Sequence, residues 1–214
     1  MLNLATFPGV SADARLWSRQ DVLARPSPAP AAAGVYAWYF DVPPGAVDRT
    51  GCHRHGDLCL LYVGISPKEP PANGRAPSRS TLRQRLRTHY AGNAAGSTLR
   101  KTLGCLLGDT LGIALRRVGS GERYTFGNAG EQVLDGWMDQ HAFVTWQETD
   151  QPWLLERGIL ASGLSLPLNV RDNPCEAHTR HVKAVRAEAM RRADVLPVLT
   201  DNGGPRRPGL ANRS

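Results

Sequence analysis

A carboxylate on the apolar face of a helix is the first feature of this chain that asks for a chemical explanation. After Pro152, at about 100° of rotation per residue, Trp153, Leu155, Ile159 and Leu160 fall on one face, and Glu156 falls near its middle. A carboxylate facing a core is costly unless a cation or a metal pairs with it. A buried salt bridge, or a side chain reaching past a short helix end, would serve equally well. A second candidate set lies on the stretch from Thr81 to Tyr90, where Leu82, Leu86 and Tyr90 recur at helical spacing as a buried stripe. Arg85 and His89 share one shoulder of that stripe, and Arg83 and Arg87 share the other. Two tyrosines, Tyr36 and Tyr62, each lie in an apolar run beside a glycine. Two phenols, a guanidinium, an imidazole and one carboxylate would be an unusual way to build a hydrolytic site. Taken singly, each is also an ordinary packing residue or a solvated helix flank.

The elements that must position these groups can be read locally. Tyr36 to Phe40 and Leu58 to Ile65 are rich in aromatic, β-branched and leucine residues between glycine and proline, so both are predicted strands; apolar residues on both faces make the second a central one. Ser80 is placed to cap a helix over Thr81 to Ala91, and Ser97 to cap another over Thr98 to Leu107. A short helix is expected over Ser11 to Arg25, capped by Ser11 and stopped by the proline-rich linker Pro26 to Pro30. Further on, a weaker strand is expected at Ile113 to Val118, a helix at Glu131 to Gln140, a strand at Ala142 to Gln147, a helix from Pro152 to Ser162 and a basic helix from Glu176 to Val195. The expected fold class is α/β of the α+β type, a small, mostly antiparallel sheet flanked by helices. The expected organisation is an N-terminal helix and linker (1–33), a catalytic domain (34–170), a basic helix (171–199) and a disordered tail (200–214).

The motifs are more specific in combination. Gly34-Val35-Tyr36, Tyr62-Val63-Gly64, Arg85 and His89 within Leu-Arg-Gln-Arg-Leu-Arg-Thr-His, Glu156 within Leu-Leu-Glu-Arg-Gly-Ile, and Asn169 after Pro167 follow one another in this order. The order resembles that of the GIY-YIG nucleases, a superfamily of homing endonucleases, some restriction enzymes and the incision subunit of bacterial nucleotide excision repair. The resemblance spans Gly34 to about Asn169. Both isoleucine positions of the family name are valine here, a conservative change on a strand. The loops on either side of Tyr62-Val63-Gly64 are longer than in the compact form of the domain.

The resemblance implies a metal-dependent endonuclease acting on DNA, with catalytic residues Tyr36, Tyr62, Arg85, His89, Glu156 and Asn169. Tyr36 would be the general base or would orient the water. A free phenol is protonated at neutral pH, so a nearby cation must lower its pKa or a metal must share the task. Arg85 would supply that cation and bind phosphate, Tyr62 would complete the cluster, His89 would relay a proton or contact phosphate, and Asn169 would orient a neighbour. Glu156 would hold one Mg²⁺ or Mn²⁺, which one carboxylate can do because Mg²⁺ keeps several waters and takes phosphate oxygens.

Composition is compatible with a nucleic-acid partner. The 214 residues carry a formal charge of +7, and lysine occurs only at Lys68, Lys101 and Lys183, so nearly all the positive charge is guanidinium. Arg75, Arg79, Arg83, Arg87, Arg100 and Lys101 are the candidate DNA contacts. Arg186, Arg191 and Arg192, with Arg180 and Lys183, form either a phosphate-contacting face or a solvated basic helix. Cys52, His53, His55 and Cys59 lie close enough in sequence for a structural Zn²⁺, although their spacing matches no common finger. No apolar stretch is long enough to span a bilayer, and the start of the chain lacks the basic and apolar run of a secretory signal, so a cytoplasmic protein is expected. Two other readings stay open: a catalytically silent nucleic-acid-binding module of the same fold, and a zinc-stabilised interaction protein.

Overall fold

In the computed structural model, which describes residues 14–71, 73 and 78–200, the elements run α1 (Arg19–Leu23), β1 (Gly34–Phe40), β2 (Arg54–His55), β3 (Leu58–Ser66), α2 (Leu82–Ala91), α3 (Thr98–Leu106), α4 (Gly108–Leu111), β4 (Arg116–Val118), β5 (Arg123–Thr125), α5 (Gly127–His141), β6 (Ala142–Glu148), α6 (Pro152–Leu160) and α7 (Glu176–Asp194). One antiparallel sheet has the order β2-β3-β1-β6, and β4 and β5 pair as a separate hairpin. The fold is the expected mixed one, an antiparallel sheet flanked by helices.

All seven residues of β1 are buried, which makes it the most enclosed strand of the sheet. Its side chains alternate between two cores. Tyr36, Trp38 and Phe40 join Leu82, Leu86 and Tyr90 of α2 and Leu99 and Leu103 of α3, while Val35, Ala37 and Tyr39 join Leu60, Val63 and, from α6, Ile159 and Leu160. The sheet is therefore a partition, with α2, α3 and α5 on one side and α6 on the other. On its outer flank β3 meets β2 only at Cys59 and Leu58. Beyond them the segment after Pro167 closes the edge, Leu168 donating its backbone N–H to Leu61 O at 3.0 Å.

Several boundaries differ from the expected ones, for identifiable reasons. The first helix begins at Ser18, whose hydroxyl and the Asp21 carboxylate form a capping box; the expected cap, Ser11, lies outside the described residues. Trp17 cannot be helical because both of its backbone groups bond Val144, at 2.8 and 3.0 Å, extending the edge beyond β6, and its ring stacks on Trp146. Thr81, not Ser80, caps α2, in a capping box with Gln84. The weak strand expected at Ile113 shortens to Arg116–Val118 and finds a partner, Arg123–Thr125, that periodicity did not suggest. The expected tail falls outside the described residues from 201 onward. Among the described residues no helix is long and apolar enough to cross a membrane. Cys52, Cys59, Cys105 and Cys175 are free thiols.

Candidate active site

The two glycines of the strand motifs are set by close approach. Tyr36 on β1 lies opposite Gly64 on β3, and Trp38 lies opposite Tyr62, so the two tyrosines are diagonal neighbours across the strand pair, with ring centroids 6.4 Å apart. A Cβ on Gly64 would stand 2.5 Å from the Tyr36 hydroxyl and 2.7 Å from its Cζ. The Tyr36 ring therefore lies on bare backbone, and any side chain at residue 64 would lift it. Gly34 plays the same part toward β6, because a Cβ there would meet the Gln147 carbonyl oxygen at 2.2 Å.

Helix α2 brings the cationic groups onto Tyr36. Its Leu82, Leu86 and Tyr90 are buried as the spacing predicts, and this fixes the rotation that aims Arg85 and His89 at the sheet. Arg85 donates from Nε to the Tyr36 hydroxyl at 3.4 Å and from Nη1 to Gly96 O at 3.2 Å. The Tyr36 hydroxyl and His89 Nε2 are joined at 2.9 Å, and His89 Nδ1 is joined to Ser97 Oγ at 2.7 Å. Ser97 also caps α3 by accepting the Arg100 N–H at 3.1 Å. It was legible as a cap, but nothing in its spacing tied it to His89.

Burial dominates the electrostatics. The Tyr36 phenol, only 1% exposed, is pushed well above its ordinary pKa by desolvation and by Tyr62, against the opposing pull of Arg85. The expectation that a cation lowers this phenol therefore holds only for Arg85's own contribution, which burial outweighs. Tyr62 is likewise raised by burial, with Arg85 opposing. His89, fully enclosed, is held well below the usual imidazole range by burial and then by Arg85 and Arg100, so it is neutral at physiological pH.

Glu156 comes from α6, across the sheet from α2. Its carboxyl is raised to about 7, chiefly by burial, and its charge reaches both Tyr36 and Tyr62. It makes no hydrogen bond or ion pair with any described residue, so the buried salt bridge that would have explained it is not present among them. A partly buried carboxylate with no partner among the described residues, its charge felt by two phenols, suits a hard divalent cation that completes its shell with water and phosphate oxygens. Among the described residues no group of three or more His, Cys, Asp or Glu is placed to hold a metal by protein ligands alone.

Cys52, His53, His55 and Cys59, whose closeness in sequence left a structural Zn²⁺ open, form no such group. His53 Nδ1 is engaged with the Tyr39 hydroxyl at 3.1 Å, and Cys59, inside β3, receives a donor from Arg54 Nη1 at 3.3 Å. Asn169, expected to orient a neighbour through its amide, bonds the backbone of β3. Its Nδ2 donates to Val63 O at 2.8 Å and its Oδ1 accepts the Val63 N–H at 2.9 Å, so the amide acts as one more strand residue clamping the backbone between Tyr62 and Gly64.

The candidate DNA contacts divide. Arg100 is fully buried, donating to Glu131 Oε2 from Nε at 3.0 Å and from Nη2 at 2.6 Å, to Asp135 Oδ1 at 2.7 Å, and to the carbonyls of His89 and Tyr90. It cannot meet a phosphate, and its work is to cap the C-terminal end of α2. Arg83 is exposed, with Nε tied to Ala29 O at 2.7 Å. Arg79 is exposed, Arg87 and Lys101 are partly buried, and Arg75 lies outside the described residues. Sequence reasoning did not place Arg186 of α7 here, although its charge reaches Tyr62.

A family model described as the GIY-YIG catalytic domain matches residues 34–192. No curated protein and no solved structure matches the chain. The matched span takes in both tyrosine strands, α2, α6 and most of α7, well over half of the sequence, and the chain thus belongs to the GIY-YIG catalytic domain family, whose membership implies nuclease-type activity in general.

Proposed function

We propose that this protein is a divalent-metal-dependent endonuclease that hydrolyses DNA phosphodiester bonds at the Tyr36, Tyr62, Arg85, His89 and Glu156 cluster. One observation carries the reading: a single hydroxyl, that of Tyr36, meets both a guanidinium donor and a neutral imidazole nitrogen, and feels the charge of a carboxylate left unpaired among the described residues. With its proton on Nδ1, shared with Ser97, His89 presents Nε2 as an acceptor to the Tyr36 hydroxyl. The attacking water then gives a proton to the Tyr36 oxygen as the phenol proton passes to His89 Nε2. This relay needs no free phenolate, which burial disfavours. Arg85 Nη2, unengaged among the described residues, is the donor for a phosphate oxygen. Glu156 would hold Mg²⁺ or Mn²⁺, which when bound neutralises charge on the phosphate and the departing oxygen.

Purified protein incubated with supercoiled and branched DNA in Mg²⁺ or Mn²⁺ tests the proposal. Nicking is expected from the wild type, with at least about a 100-fold loss in Arg85→Ala and Glu156→Ala. Nicking unchanged in both variants would rule out this site. The enclosure of Tyr36 favours a second reading, a DNA-binding module that does not cut. Salt-sensitive binding by a wild type that nicks no substrate would select it.

A further inference from the structure

Three consecutive residues at the start of α3 hold three side chains in place. Gly96 O accepts from Arg85, Ser97 Oγ is joined to His89, and Thr98 O accepts from Arg186 Nη2 at 3.3 Å. Arg186 also donates from Nε to Thr102 Oγ1 at 2.9 Å, and its Nη2 contacts the same hydroxyl. Helix α7 thus delivers a guanidinium to the edge that anchors the catalytic groups of α2.

The partners of Arg186 set it apart from the other arginines of its helix. Arg180 reaches Glu176, and Arg191 and Arg192 share Glu188. Arg186 has only the neutral oxygens of Thr98 and Thr102, and among the described residues no carboxylate pairs with it. Its Nη1 is engaged by no described residue. It is partly buried, so its charge pays a desolvation cost that neutral oxygens offset only in part. Lys101, one helical turn from Thr98, lies in its field, also with no ion pair among the described residues, and Arg85 is in the same condition. Arg85 and Arg186, whose charges reach the two phenols and which have no counterion among the described residues, together offer a site for an anion, with Lys101 adding positive potential beside Arg186.

We infer that Arg186 is a second phosphate-binding residue of this site, donating from Nη1 to a DNA phosphate on the Tyr62 side while Arg85 serves the Tyr36 side. The fork geometry suits this, because the edge formed by Nε and Nη2 is fixed by α3 and the remaining nitrogen is presented without further loss of side-chain freedom. The inference rests on the nuclease reading for its substrate class but not for its test, which begins with binding.

The affinity of the protein for a short DNA duplex, measured against salt concentration in EDTA, is to be compared for wild type, Arg186→Gln and Arg186→Lys. Glutamine keeps an amide for Thr98 and Thr102 but removes the charge, and lysine keeps the charge without the fork. The expected result is a log–log salt slope about 1 unit shallower in Arg186→Gln and unchanged in Arg186→Lys. In Mg²⁺ the glutamine variant should lose at least about 10-fold in cleavage, the lysine variant less. A residue that merely pins α7 to α3 predicts a lowered melting temperature in both variants with the wild-type slope, and that result would overturn the inference. If the wild type binds DNA but nicks nothing, the shallower slope still upholds Arg186 while the hydrolytic reading fails. A wild type that does not bind DNA overturns both.

Discussion

His89 is buried and Glu156 partly so, with different consequences for each. Enclosure keeps the imidazole neutral, so that Nε2 can accept from the Tyr36 hydroxyl, although it also disfavours the imidazolium, whereas it raises the Glu156 carboxyl to about 7 and so penalises the ion that a metal would need. A carboxyl whose folded pKa lies above its unfolded value takes up a proton on folding. Its destabilising contribution is absent below about pH 4.5, grows as pH rises toward 7 and is complete above that. Discounted for partial exposure, it amounts to roughly 2 kcal/mol. Glu156→Gln removes it. In EDTA at pH 8 the variant should melt several degrees above the wild type, and at pH 4.5 the two should melt together. Mg²⁺ should raise the wild-type melting temperature at pH 8 and leave the variant's unchanged. A variant less stable than wild type at pH 8 without metal would show that Glu156 has a structural partner.

At the scale of elements, the groups of α2 are aimed by packing and by one buried cation. Arg100 joins α3 to Glu131 and Asp135 of α5 and to the last carbonyls of α2, while Glu131 Oε1 accepts the N–H groups of Ala94 and Phe126. Replacing it with alanine strands a buried carboxylate, so Arg100→Ala should cost about 3–5 kcal/mol in chemical denaturation, and a loss below about 1 kcal/mol would contradict this role. The sequence was least legible here. A cation is rarely buried, so Arg100 read as a surface contact, and its partners lie 31 and 35 positions away, beyond the reach of local periodicity. By contrast Leu82, Leu86 and Tyr90 state the phase of α2 directly, and the apolar run of β1 announces an inner strand. Asn169 was visible only as a motif residue; its use as a substitute strand partner for Val63 depends on how the chain returns to the sheet edge. The helix expected from Ser11 to Arg25 does not include Trp17, because Trp17 bonds its backbone to Val144, a tertiary choice that no cap signal encodes.

Across the whole molecule, the candidate site draws on both tyrosine strands, α2, the start of α3, α6 and α7, with the charge of Glu156 reaching Tyr36 and Tyr62 from the side of the sheet that α6 covers. The formal charge of +7 gives the molecule a general attraction for polyanions, but the local arrangement is more telling, since among the described residues Arg85, Lys101 and Arg186 have no counterions where Arg100 and Arg19 do. Everything converges on the Tyr36 hydroxyl. The most direct measurement is therefore the single-turnover rate of DNA cleavage by Tyr36→Phe, which deletes one oxygen and keeps the ring on Gly64, with folding checked by circular dichroism. The account predicts at least about a 100-fold loss in a protein that still folds and binds DNA; a rate within twofold of wild type would contradict it.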